Sequence, residues 1–312
     1  MSIAVFGSIN MDVTAYMHRL PKPGETLQGK DYMLGLGGKG ANQAVAARKL
    51  GSEVAFISRL GNDDFAKPAA RELASYGIDL SLVSQDEQGA TGIAIINVGE
   101  GGENYISLIG GSNLRIDESD VARARPALEK ARVLLLQLEV PLSASLSAAA
   151  IVKAHGGTVI LDPAPAPEGG LAADVLKAVD IITPNETEAG LILGWQPQSP
   201  EEGLKAAREL RARGVSTALV KLGARGLAVA GPGLETIIPA FKVSPVDTVA
   251  AGDSFNGGLA HALDQGKTLE SALRYAAACG ALSTTRKGAS AAAPTRAEVE
   301  AFLEGASRSQ TT

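Results

Sequence analysis

The chain has 312 residues, 29 basic and 34 acidic, for a net charge of -5, and no Lys/Arg run is available to track a phosphate backbone. Nucleic acid is therefore not an expected partner. Hydrophobic residues make up 45% of the chain and aromatics only 4%, so the core must be built from Ala, Val, Leu and Ile, as in parallel sheets covered by helices, and the length predicts one large domain with a smaller one.

The apolar run Ile3 to Phe6 predicts a buried strand, with no basic lead before it and no long apolar segment after it, so no membrane partner and a cytoplasmic location are expected. The strand ends in Gly7-Ser8-Ile9-Asn10, and open α/β sheets bind ligands just past such strand ends, which makes Asn10 and Asp12 candidates. From Leu20 to Leu34 the chain carries Pro21, Pro23 and Gly24 with short β-prone stretches, predicting part of a peripheral sheet. Ala41 to Leu50 has helical composition ending at Gly51, and Val54 to Ser58 reads as a strand. Thr91 to Val98 and Asn104 to Ile109 predict a hairpin across Gly99 to Glu103, expected to pair with the 20 to 34 segment as a lid.

From Val133 the pattern alternates steadily. Strands are expected at Val133 to Gln137, Thr158 to Leu161, Asp180 to Thr183 and Thr217 to Lys221, with a hairpin-like stretch from Leu227 to Pro239. Helices are expected at Ser143 to Ala154, Glu186 to Leu193 and Glu201 to Arg213, with others starting at Asp253, Thr268 and Thr295. This rhythm predicts a mostly parallel sheet with helices on both faces, and a frayed polar tail after Gly305. Cys279 is the single cysteine, in an Ala-rich helical pattern that makes it small and buried; His18, His155 and His261 lie at no metal-ligand spacing.

Two glycine-containing motifs carry the chemistry. Gly35, Gly37 and Gly40 spell a literal G-x-G-x-x-G, but a dinucleotide fingerprint follows the first strand of its βαβ unit directly, and this cluster follows the lid segment. It is not a P-loop either, since Met33 occupies the first Gly position and Gly40 that of the magnesium-binding Ser/Thr. What remains is a tight turn before a helix, with Lys39 and Asn42 near free backbone NH groups. In Asp247-Thr248-Val249-Ala250-Ala251-Gly252-Asp253, small residues run straight into a helix, so the NH groups of Ala250, Ala251, Gly252 and Asp253 can form an anion cradle suited to a phosphate. Asp253 can then accept a proton from an attacking hydroxyl, where a helix N-terminus should favour its ionised form; a plain helix cap is the alternative.

Gly37 to Asn42 and Asp247 to Asp253 resemble the two signature motifs of the PfkB carbohydrate kinase family, and similar stretches recur in order at Gly7 to Asn10, Gly38 to Ala47, Gln137-Leu138-Glu139, Pro163 to Ala166, Ile181 to Glu188 and Thr285 to Ala289. The resemblance implies a three-layer α/β sandwich whose mostly parallel central sheet belongs to a main domain of residues 1–10, 35–90 and 111–312, with a small β-sheet lid of residues 11–34 and 91–110. It also implies transfer of a phosphoryl group from ATP to a sugar, ribose for preference, with Asp253 as base. Asn10, Asp12, Gly38, Lys39, Asn42 and Glu139 would bind the sugar. Asn185, Lys221, Gly223, Gly226 and Gly252 would bind ATP, with Glu188 organising Mg2+ through water. Asp247, Val249, Ser283, Arg286 and Gly288 would surround a monovalent cation, K+ for preference, mainly through carbonyls. The chain departs from close members of the family at Asp162, often Asn; at Ala277, often His; and at Ala292, often Ser. Fructose, 2-keto-3-deoxygluconate and nucleosides remain alternative substrates, a catalytically silent sugar-binding regulator is the alternative of another class, and an exposed lid edge would favour a homodimer.

Overall fold

A computed structural model describes residues 2–101 and 103–308. Strand β1 (Ile3–Phe6) leads into β2 (Asn10–Met17), and β3 (Asp31–Gly37) runs directly into α1 (Lys39–Lys49). The chain continues through β4 (Val54–Gly61), α2 (Ala66–Ser75) and β5 (Val83–Asp86) to β6 (Gly92–Gly99) and β7 (Asn104–Ile109). Next come α3 (Glu118–Leu128), β8 (Val133–Leu136), α4 (Leu142–Ala154), β9 (Thr158–Leu161), α5 (Ala173–Ala178), β10 (Ile181–Ile182) and α6 (Glu186–Leu193). The remainder comprises α7 (Pro200–Ala212), β11 (Thr217–Lys221), β12 (Leu227–Gly231), β13 (Leu234–Ile238), α8 (Ala251–Asp264), α9 (Leu269–Ser283) and α10 (Arg296–Arg308).

The large sheet has nine strands in the order β13-β12-β11-β10-β9-β8-β1-β4-β5, parallel except at β12 and β13. Its central strands β1 and β8 are apolar and buried throughout because both faces are covered. Ile3 and Val5 enter one core with Val133, Leu135 and Leu219, while Ala4 and Phe6 enter the other with Leu134, Leu136 and Ala218. The period of two thus divides each strand between two helix layers. Truncating a fully buried Leu in such a layer costs about 2–5 kcal/mol, so these strands hold the site's framework in place. Cys279 lies in the first of these cores with no exposure, as the Ala-rich pattern predicts, and burial raises its thiol well above the usual range.

The smaller sheet has the order β3-β2-β6-β7. Its central pairing differs from the expectation: the 92–109 hairpin lies beside β2, in parallel register from Asn10↔Gly92 to Met17↔Gly99, and not beside the 20 to 34 segment. Residues 20–30 form no strand, since Pro21 and Pro23 lack NH donors and Gly24 turns the chain at a φ of 80°. Helix α2, strand β5 and helix α3 are elements that sequence patterning does not single out. Helix α10 continues past Gly305 to Arg308, further than the tail reading allowed, and 309–312 lie outside the described residues. No helix among the described residues is long and apolar enough to cross a membrane.

Two glycines set the depth at which α8 sits. A Cβ on Gly257 would lie 2.6 Å from Ala46 Cβ, and one on Gly258 would lie 2.7 Å from Cys279 Sγ. Their missing side chains let α8 press against α1 and α9, which brings Asp253 within reach of Asn42 and Gln43.

Candidate active site

A cavity of about 950 Å³ opens along the ends of β9 to β11 and the start of α8. Lys39, Asp162, Asn185, Glu188, Lys221, Gly223, Gly226, Ala250, Ala251, Gly252, Asp253 and Ala277 all line it. The nucleotide and catalytic candidates therefore share one space although they are spread over more than two hundred residues of chain.

The mouth of α8 carries the only non-glycine residue with positive φ among the described residues, Ala250 at φ 56° and ψ 17°. A left-handed residue directly before a helix costs on the order of 1 kcal/mol, and such a change of backbone hand is one of the conformations from which successive amides form an anion-binding concavity. One of the four predicted cradle amides is partly diverted, because Ala251 N donates to Thr248 O at 3.3 Å and closes the entering turn. The first-turn amides of Gly252 and Asp253 face the cavity end of the helix, where no preceding turn supplies carbonyls.

Asp253 is only 5% exposed. Asn42 Nδ2 donates to its Oδ2 at 3.1 Å and Gln43 Nε2 to its Oδ1 at 3.0 Å. The expectation that the helix N-terminus would keep this carboxylate readily ionised does not hold, since burial pushes its pKa up to about 6, with Lys39 opposing and Asp162 adding to the rise. Desolvation outweighs the helix dipole at this depth. A carboxylate with that proton affinity is suited to act as a base near neutral pH.

The sugar-binding candidates form a second cluster beside Lys39 and Asp253. Glu139 Oε2 accepts from Ser8 Oγ at 2.5 Å, from Lys39 N at 3.1 Å and from Asn10 Nδ2 at 3.4 Å. Gly38, at φ 88°, makes this convergence possible: a Cβ there would stand 2.7 Å from Asn10 N and 2.9 Å from Ser8 O. Asn113, which sequence reasoning missed, clamps the 9–10 turn by donating from Nδ2 to Asn10 Oδ1 at 2.8 Å and accepting from Ile9 N at 2.9 Å. Gln43 and Gln137 were missed as well; their only sequence signal was their place inside the resembling stretches. Lys39 is the positive centre of the cluster. Burial works against its charge, but Asp253, Asp162, Glu139 and Glu188 more than offset this and hold it above the usual lysine range.

Asp12 reaches the same cluster from β2. Burial, then Glu139, Asp253 and Glu72, raise its pKa from 3.8 to about 7. A carboxyl that holds its proton more tightly folded than unfolded stabilises the fold fully below about pH 4, and this contribution is lost as pH rises through 7. Asp12→Asn is therefore expected to raise Tm at pH 8 by at least about 2 °C, with the gain vanishing near pH 4. Thermal melts across that range check the sign, and a lower Tm at pH 8 contradicts it.

Asn185 and Glu188 form a capping box on α6, with Glu188 N donating to Asn185 Oδ1 at 2.8 Å and Asn185 N donating to Glu188 Oε2 at 2.7 Å. Burial raises the Glu188 pKa, with Lys221 opposing. The 223–226 turn is pinned by Leu222 N donating to Gly226 O at 2.9 Å and by the Arg225–Glu186 ion pair. The side chains of three cation candidates are engaged within the protein. Asp247 accepts from Val249 N at 3.0 Å and from Gly288 N at 3.1 Å, whereas the Arg286 side chain pairs with Glu298 at 3.0 Å and Ser283 Oγ donates to Gly280 O at 2.8 Å. No cluster of three or more His, Cys, Asp or Glu residues suited to a metal ion occurs among the described residues.

The family model described as "pfkB family carbohydrate kinase" matches residues 1–296. Ribokinase of Haemophilus influenzae is 43% identical over 305 residues, covering 98% of this chain and 99% of that protein. Deoxyribokinase of Salmonella typhi is 37% identical and covers 97% of this chain and 99% of its own. The structure of Arabidopsis thaliana ribokinase complexed with ribose and ATP superimposes with a TM-score of 0.87 at 34% identity, covering 97% of this chain and 98% of that one.

Proposed function

The chain belongs to the PfkB family of carbohydrate kinases, and on that premise we propose that it transfers the γ-phosphoryl group of ATP to the terminal hydroxyl of D-ribose, giving ribose 5-phosphate. The supporting observation is the placement of Asp253, whose carboxylate lines the cavity at the mouth of α8 while hydrogen-bonding Asn42 of the hydroxyl-binding cluster. ATP lies along the cavity over Asn185, Lys221, Gly223, Gly226 and Gly252. The sugar is held by Asn10, Asp12, Gly38, Lys39, Asn42 and Glu139. Asp253 takes the proton of the sugar hydroxyl as its oxygen attacks in line, and the Gly252 and Asp253 amides with Lys39 stabilise the charge on the transferring oxygens. Residues 11–34 and 91–110 act as a lid, so that closure limits ATP hydrolysis by water.

The donors fit magnesium only as an ion held chiefly by phosphates and water: Glu188 and Asn185 each spend an oxygen on the capping box, and Mg2+ commonly keeps several waters and takes one or two carboxylates. When bound it neutralises charge on the phosphate oxygens. A monovalent cation, potassium for preference, fits the 247–249 and 283–288 loops through carbonyls, because both Asp247 oxygens already serve backbone amides. Consumption of ATP favours a cytoplasmic setting.

ADP release with ribose, 2-deoxyribose, fructose, 2-keto-3-deoxygluconate and nucleosides, each with and without K+, tests this reading. Ribose is expected to give the highest kcat/KM, because a pocket built to pair a hydroxyl loses binding when the hydroxyl is missing. The deoxyribokinase relative makes 2-deoxyribose the main rival, and a higher kcat/KM for it would overturn the ribose assignment. No ADP release with any sugar would favour a silent regulator.

The lid also presents Tyr32, Leu34, Tyr105, Ile106 and Leu108, each 42–70% exposed, on the two outer strands of its sheet. A second copy of the chain is the proposed cover. Light scattering at micromolar concentration should give twice the chain mass, falling to the single mass in Ile106→Lys; a monomeric wild type would refute the dimer.

A further inference from the structure

One hydrogen-bonded chain crosses the site beneath the cavity. Lys221 Nζ donates to Asp162 Oδ1 at 3.0 Å. Gln43 Nε2 donates to Asp162 Oδ2 at 3.1 Å and also to Asp253 Oδ1 at 3.0 Å. Gln137 Nε2 donates to Gln43 Oε1 at 2.8 Å, which fixes the orientation of the amide: reversed, Gln43 would set an oxygen against two carboxylates and a nitrogen against a donor. Gln43, Gln137 and Asp162 are all buried. At the other end, the Lys221 ammonium stands over the first turn of α8, where a Cβ built on Gly252 would lie 3.2 Å from Nζ.

We propose that Gln43 and Asp162 are positioning residues that join the two halves of the reaction, Asp162 holding Lys221 over the phosphate cradle while Gln43 ties the same carboxylate to the base Asp253. The proposal rests on the reading of Asp253 as base. A phosphoryl group seated at the mouth of α8 meets an ammonium already held in place, so little side-chain freedom is lost when the nucleotide arrives. Ammonium charge drawn toward that group leaves Asp162 less compensated, and Asp253, one bridging nitrogen away, is then a stronger base. The geometry couples arrival of the phosphate to activation of the hydroxyl.

The charged groups gathered around Asp253 are Lys39 from α1, Asp12 from β2, Glu139 after β8, Asp162 after β9, Glu188 on α6 and Lys221 at the end of β11. Among its neighbours, Asp162 raises the affinity of Asp253 for a proton, while Lys39 and the hydrogen bonds from Gln43 and Asn42 lower it. The two positioning residues therefore act with opposite sign, which a merely structural role would not produce.

The test is the pH dependence of kcat and kcat/KM in Asp162→Asn and Gln43→Met, with the KM for ATP measured alongside. Asp162→Asn should move the acid limb to lower pH by about half a unit or more and raise the KM for ATP several-fold, because Lys221 loses its charged anchor. Gln43→Met should move the limb to higher pH and lower kcat by about tenfold or more, with the KM for ATP within about threefold of wild type. Limbs that stay in place in both variants, or move in the same direction, overturn the coupling. If Gln43→Met does not fold, Asp162→Asn decides alone, and an unmoved limb there overturns it. Asp253→Asn run in parallel separates the two ideas: wild-type turnover in that variant removes the base itself, whereas its inactivity beside unmoved limbs removes only the coupling.

Discussion

Asp253→Asn is expected to fold, to bind ATP with near-normal affinity and to turn over at least about a hundredfold more slowly, within the 10² to 10⁴ range for loss of a general base. The substitution conserves volume in a site that is nearly closed to solvent. It exchanges two acceptor oxygens for one acceptor and one donor, so one of the contacts from Asn42 Nδ2 and Gln43 Nε2 becomes a donor facing a donor. The stability lost there is offset by removing a buried charge, and melts should stay close to wild type. With the wild-type carboxyl titrating at about 6, its turnover should fall roughly tenfold per unit below pH 6 as the base takes up its proton. The Asn variant should be flat over the same range. Turnover near the wild-type level would exclude Asp253 as the base.

Lys39→Met should be the next most damaging change, and its loss should depend on pH. The ammonium offsets Asp253, Asp162, Glu139 and Glu188, and its backbone NH helps hold Glu139. Removing the charge leaves carboxylates facing one another in a poorly solvated space, so their affinities for protons rise and a smaller share of Asp253 is ionised at pH 7. A kcat loss of about 10² to 10³ is expected at pH 7, the scale seen when one stabilising donor is removed from a reacting centre. Part of it should return toward pH 9 as the base ionises. Stability should change in the opposite direction: the folded state gains proton affinity, so the variant should melt lowest at high pH and approach wild type toward pH 5. A kcat deficit independent of pH would show that Lys39 acts through substrate contact alone.

Much of the framework was legible in local patterns. Ile3 to Phe6 and Val133 to Leu136 are unbroken apolar runs because both sheet faces are covered, and a continuous run in a chain poor in aromatics points to a parallel sheet wherever it occurs. The helix start at the small-residue run was legible as well, although the turn that engages Ala251 N with Thr248 O was not. The lid was legible only in part. The hairpin follows from its own alternation, but its neighbour is β2 rather than the proline-rich stretch, and a choice of strand partner depends on residues eighty positions away.

The residue types at the site and the order of the motifs along the chain were determined by the sequence alone, and with them the sugar-kinase family; the carboxylate base and the phosphate cradle proposed here start from the same residues. What only the tertiary structure decided is the state of those groups. Asp253 lies at a helix N-terminus in any reading, yet its proton affinity follows from how far α8 sinks against α1, a depth set by the absent side chains of Gly257 and Gly258. Gln43, Gln137 and Asp162 look like ordinary polar residues along the chain and become one circuit only when α1 meets the ends of β8 and β9. Desolvation and hydrogen bonding depend on what fills the surrounding few ångströms, and that volume is occupied by residues distant in the chain.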